Sequence, residues 1–163
     1  HSYEVSGRAM QFSTKEDIEA PVDQVFAALS DFDAIERSVI RRGVEVRRTD
    51  TLDTPGEGMT WEARFRFRGK MRDATVTMTR YDPPNAMEFQ TRSGGLETHT
   101  VLDCVALSRS RTRISMVLEL QPKTLSARLL VQSLKLAKGN ITKKFRVRAA
   151  DYAKDLEDRL RQA

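Results

Sequence analysis

The stretch MTWEARFRFR, Met59 to Arg68, alternates almost perfectly between two kinds of side chain. Met59, Trp61, Ala63, Phe65 and Phe67 share one parity, and Thr60, Glu62, Arg64, Arg66 and Arg68 the other. Successive side chains of a strand point to opposite sides, so this period of two puts each set on its own face of a sheet. The chain therefore has to bury one face of a sheet and leave a basic face outside.

The same logic extends along the chain. Gly69-Lys70 reads as a turn. The return strand carries Ala74, Val76 and Met78 on one face, with Thr75, Thr77 and Thr79 on the other. Asp82-Pro83-Pro84-Asn85 and Ser93-Gly94-Gly95 are further turns, bracketing a strand with Met87 and Phe89 on one face. ETHTVLDCVALS and RTRISMVLELQP read as two more strands, joined around Arg109 to Arg111. The second puts Ile114, Met116, Leu118 and Leu120 on one face. With Gln11 to Glu19 at the start and a strand marked by Val44 and Val46, the count is about seven. The short connections make the sheet antiparallel.

Two helical patterns interrupt the strands. Pro21 can occupy a first helical turn, where its missing N–H is no loss. Val22, Val25, Phe26 and Leu29 then share a face. Asp31 to Asp33 should break this helix. Ala34 to Ile40 reads as a second one, with Ile35 and Val39 on one side and Gly43 as its end. From Thr124 to about Arg161 the pattern predicts one long helix, or a helix bent at Gly139, with Thr124 and Ser126 as plausible caps. Its stripe runs through Leu130, Leu134, Ala137, Ile141, Phe145, Ala149, Tyr152, Leu156 and Leu160. Straight, it would span roughly 50 Å, and only the sheet is long enough to cover it.

That order of elements, an α+β arrangement of a curved antiparallel sheet around a long C-terminal helix, is the helix-grip fold. The segment IEAPVDQVFAALSDF carries the clearest local likeness. A strand ending in "aP", a short amphipathic helix and an aspartate resemble the Bet v 1-like, START-related superfamily, also called SRPBCC or polyketide cyclase/dehydrase-like. RRGVEVRRTD, RFRFRGK and KTLSARLLVQSLKLAKG are similar to runs in short SRPBCC proteins of alphaproteobacteria. The resemblance covers Met10 to the C-terminus as a single domain. Residues 1–9 are expected to be a flexible extension or a leftover of expression. The resemblance implies a cavity between the concave sheet face and the long helix. It does not name a chemistry, because such folds host binders, carriers and enzymes alike.

The inward candidates for that cavity are Trp61, Phe65, Met78, Phe89, Leu102, Met116 and Leu118 from the sheet, with Leu134, Ala137 and Ile141 from the helix. Such a lining suits a lipid, polyketide or aromatic ligand, and methionines repack around varied shapes. The plain alternative for each is a filled core. Catalytic sets are scarce. His99 shares a strand face with Asp103 but would lie about 13 Å from it. One cysteine, Cys104, and one internal histidine cannot make a zinc site without several carboxylates, and the cysteine reads as an inert core residue. No glycine-rich phosphate loop or nucleophile elbow is present. Glu62, Glu88 and Asp103 would serve as bases only if turned inward, and alternation turns Glu62 outward. No metal or cofactor is expected.

Charge bounds the partners. The net charge is +5, with 28 basic and 23 acidic residues interspersed. Arg64, Arg66 and Arg68, with Arg72, Arg80, Arg47 and Arg48, could compose a phosphate-reading surface. Sheets that read nucleic acid place aromatics on that face for stacking. Here the aromatics take the other parity, so no nucleic-acid partner is expected. The single cysteine fits a reducing compartment and a cytoplasmic location. No apolar run reaches the length of a membrane span. On the helix, Leu125, Leu129 and Leu136 form a second apolar line beside several lysines. That line fits extra packing, a homodimer contact or peripheral contact with an anionic membrane.

The leading expectation is non-covalent binding of a small hydrophobic ligand, as carrier or sensor. The alternatives are a cyclase/dehydrase-type enzyme, and an interaction module working through the C-terminal helix.

Overall fold

Strand β1 (Met10–Ile18) buries Met10, Phe12 and Ile18, and the extended chain stops at the Ala20-Pro21 junction. A computed structural model describes residues 10–162. The expectation for residues 1–9 lies outside the described residues.

Pro21 stands at the N-cap of α1 (Val22–Leu29) with extended backbone, and its carbonyl accepts from Val25 N at 3.0 Å. Val25, Phe26 and Leu29 are buried. At about 1.5–3 kcal/mol for each side chain removed from water, their docking stabilises a helix too short to persist alone. Asp31 starts α2 (Phe32–Arg41), its carboxylate accepting from Ala34 N at 3.3 Å. Phe32 is the buried residue of this helix. Gly43, at φ +91°, supplies the left-handed turn that leads out of it.

The sheet follows. Strands β2 (Glu45–Arg48), β3 (Thr60–Phe67), β4 (Lys70–Asp82), β5 (Ala86–Ser93), β6 (Leu96–Ser108) and β7 (Arg111–Pro122) join β1 in one seven-stranded sheet. Its order is β1-β7-β6-β5-β4-β3-β2, antiparallel throughout. Register explains the concave face. Trp61 pairs with Val76, Met78 with Phe89, Met87 with Leu102 and Leu102 with Met116. These apolar side chains therefore run across the sheet as rows.

Two arginines depart from the expected basic face. A register shift between Met78 and Arg80 inserts an extra residue into β4 and exchanges its faces. The bulge sends Arg80 to the outer face, where it pairs with Glu88 at 3.2 Å. Arg72 precedes the bulge and sits opposite Phe65, on the apolar parity. Its guanidinium lies 5.5 Å from the centre of the Phe67 ring. Arg48 likewise sits opposite Trp61 and is bound by Asp50. Arg48 and Arg72 thus do not join Arg64 and Arg66 on one surface.

The C-terminal segment is two helices, not one helix or a bend at Gly139. Helix α3 (Leu125–Leu136) starts at Thr124, whose hydroxyl accepts from Ala127 N at 3.2 Å. It ends at Ala137 with φ −106° and ψ 13°, and α4 (Lys138–Gln162) begins at once. The break falls where the chain passes from packing on β7 to packing along β1. Two cores result. Met10, Phe12 and Val131 form one, with Leu118, Leu134, Ile141 and Phe145 against it. The other joins α1, Met59, Trp61, Met78, Met87 and Cys104 to Ala153 and Leu156 of α4.

Candidate functional site

Helix α4 packs chiefly along β1, with Ala153 and Leu156 reaching the core of the central strands. Helix α2 stands beside it over the concave face. Between α2 and the concave face is a cavity of about 500 Å³, within the range of small-molecule sites. Leu29 of α1 and Phe32, Ile35, Glu36 and Val39 of α2 form one side. The floor is made by Val46, Trp61, Ala63, Val76, Met87 and Phe89. Thr100, Leu102 and Met116 close the far side, and Tyr152 of α4 completes the rim.

Trp61 organises this site. Its indole is 6% exposed and lies between Phe32, 5.3 Å away centre to centre, and Phe89, 6.4 Å away. Both contacts are tilted, the arrangement aromatic quadrupoles favour. Trp61 Nε1 donates to Glu36 Oε1 at 2.7 Å. This satisfies the indole and ties α2 to the floor. Behind the tryptophan, Asp50 accepts from Arg48 Nη2 at 2.5 Å, Thr60 N at 2.9 Å and Leu52 N at 3.0 Å. Those bonds, the Arg48 guanidinium first, hold the Asp50 carboxyl far below the usual carboxylate range. The same pair raises the Arg48 pKa.

Glu36, Thr100 and Tyr152 are the polar residues of the lining, and almost none of their polar surface faces the cavity. Burial pushes the Tyr152 pKa up, with Arg159 opposing, so at neutral pH the group is a neutral donor and acceptor. The lining can hold an apolar or aromatic body.

Of the sequence candidates, Trp61, Phe89, Leu102 and Met116 come together on this cavity. Met78 is fully buried beneath it in the core. Leu118, Leu134 and Ile141 pack in the other core, under α3 and the start of α4. Ala137 is the break between the helices, and Phe65 is half-buried further along β3, outside the lining. The α2 side chains and Tyr152 were not among the candidates. Ile35 and Val39 carried a signal, since they share a helix face, but nothing local says that this face looks onto the sheet.

The groups weighed for catalysis sit elsewhere. His99 lies on the outer face, its Nε2 3.0 Å from Glu88 Oε1. Glu62 accepts from the Thr75 hydroxyl at 2.9 Å, on the outer face that alternation assigns it. Tyr81 packs on Phe26 at 5.8 Å within the core. Cys104 is buried, and burial followed by the Asp103 charge pushes its thiol up to about 11. It is protonated, hence a poor nucleophile, at neutral pH.

Solved structures share this architecture. An aromatase/cyclase from a Streptomyces species is 13% identical, with a TM-score of 0.63 over 93% of this chain and 96% of that one. A norcoclaurine synthase of Thalictrum flavum, solved as a point mutant with a transition-state analogue, is 13% identical. Its TM-score is 0.61, over 80% of this chain and 86% of that one. A START superfamily protein of Mycobacterium smegmatis is 10% identical, with a TM-score of 0.54 over 82% and 95% of the two chains. At these identities the likeness is one of fold. No curated protein matches the chain. The family model described as polyketide cyclase/dehydrase and lipid transport matches residues 9–157, and the chain belongs to that family.

Proposed function

We propose that the protein binds a small hydrophobic ligand non-covalently in the cavity between α2 and the concave sheet face, as a carrier or sensor. Trp61, Phe89, Leu102 and Met116 would contact the ligand's apolar body. The observation that supports this reading is the lining itself: a half-open cavity of about 500 Å³ with almost wholly apolar and aromatic walls. Trp61 is the single tryptophan of the chain, so its fluorescence reports on the cavity directly. Titration with a fatty acid and with a planar aromatic probe should change that fluorescence saturably. Native mass spectrometry should find a small molecule retained on protein from its own host. Fluorescence that ignores every apolar probe would sink the proposal.

A second reading is a cyclase/dehydrase-type enzyme. What favours it is a carboxylate and a phenol, Glu36 and Tyr152, both on an apolar cavity. Such a pair could move a proton to or from a bound carbonyl compound. Turnover lost on both Glu36→Gln and Tyr152→Phe, with ligand affinity kept, would select the enzyme. Unchanged ligand recovered after long incubation would select the carrier.

A further inference from the structure

Helix α3 shows the solvent a ridge that its own fold does not use. Ala127 and Val131 are buried against the sheet. On the opposite side, Leu125, Leu129 and Leu136 are 71%, 63% and 92% exposed. Their spacing puts all three on one stripe. Basic residues border it on both flanks. Arg128 and Lys135 follow one side of the helix by their spacing. On the other, Arg68 from the β3–β4 turn donates to the Ser133 hydroxyl at 2.8 Å. From residue 124 to residue 150 the chain has seven lysines or arginines and no aspartate or glutamate. The whole chain carries only +5, so the remainder is net acidic. None of the α3 residues lines the cavity.

We propose that α3 docks on an anionic lipid surface. Its leucine ridge would enter the boundary between headgroups and acyl chains, and the flanking cations would meet the phosphates. The charge pattern selects this occupant. A two-fold contact between copies would press Arg128 and Lys135 against the same cations of the other chain. A nucleic acid would gain nothing from three exposed leucines. A leucine ridge within a wholly basic stretch is the composition of helices that lie in the plane of a membrane interface. No helix among the described residues is long and apolar enough to cross a membrane, so the contact is peripheral.

Vesicle flotation tests this with the whole chain. The protein should float with vesicles of phosphatidylcholine mixed with phosphatidylglycerol, and not with phosphatidylcholine alone. Raising the salt concentration should release it. Leu129→Glu combined with Leu136→Glu should cut the bound fraction roughly tenfold or more. Arg128→Glu should weaken binding about fivefold or more, the weight of one cation at such a surface. All three side chains are exposed, so melting temperatures should stay at the wild-type value and certify the fold. Failure to float with anionic vesicles at low salt overturns the proposal. So does flotation that survives the double leucine change. A dimeric solution mass that the leucine change disperses, without vesicle binding, would reassign the ridge to a second copy.

Discussion

Trp61 Nε1 and Glu36 Oε1 lie 2.7 Å apart, and their hydrogen bond joins the floor of the cavity to the helix that covers it. The acceptor is a carboxylate, and hydrogen bonds to charged groups contribute more than neutral ones. Glu36→Ala leaves the indole N–H without its partner at a position 6% exposed. The expected loss is about 1–3 kcal/mol of folding stability. In a domain of this size each kcal/mol is worth about 2–4 °C of melting temperature. Thermal denaturation followed at the tryptophan reads both numbers. No change in melting temperature would mean that α2 is held by the Phe32–Trp61 contact alone.

Ala63 is the smallest side chain of the cavity floor and faces inward from the middle of β3. Ala63→Phe should fill the space a ligand would take. An apolar probe should then bind at least about tenfold more weakly, while stability stays within roughly 1 kcal/mol because the new ring enters a cavity and not a packed core. Unaltered affinity in the fluorescence titration would place the ligand elsewhere.

The alternation in MTWEARFRFR made the sheet legible, because burying one face of a strand needs a period of two and little else. Pro21, with the apolar spacing after it, marked α1 for the same reason: local geometry and local pattern agree. The position of the cavity was not written locally. It depends on where α2 and α4 dock on the sheet, which the break at Ala137 helps to set. Gly139 drew attention as the obvious weak point, yet the helix ends at an alanine, because the hand-over from β7 to β1 is a tertiary demand. The bulge in β4 is hidden in the same way. Thr79 looks like the next member of an alternating row, and only the pairing of Arg80 with Glu88 reveals that the faces have exchanged.

Gly95 and Thr124 touch so closely that a Cβ on the glycine would overlap the threonine side chain. The contact pins the start of α3 to the β5–β6 turn, where Lys123 N also donates to Gly95 O at 2.7 Å. Gly95→Ala should therefore displace the Thr124 cap, at a cost of about 1 kcal/mol for the lost cap plus the strain of the overlap. Thr124→Gly removes the obstruction and, as a cap, costs only about a few tenths of a kcal/mol. In a double-mutant cycle by urea denaturation, the pair should be more stable than the sum of the two single changes. Strict additivity would show that the turn and the cap are independent.

Asp50 should govern part of the acid sensitivity. Its carboxylate is 8% exposed and takes bonds from Arg48, Thr60 and Leu52, which depress its pKa below the usual 3.8. A group depressed on folding contributes its full stability above the unfolded pKa and loses it as pH falls through the folded one. The contribution is therefore intact at neutral pH and fades below pH 3.8. Asp17 acts in the same direction, lowered chiefly by its hydrogen bond from Arg113. Asp50→Asn keeps the shape of the side chain and removes the charge. Its melting temperature should fall below wild type at neutral pH, and the gap should close as both proteins are acidified below pH 3.8. A gap of constant size across that range would mean that the loop is held by the geometry of its hydrogen bonds and not by the charge on Asp50.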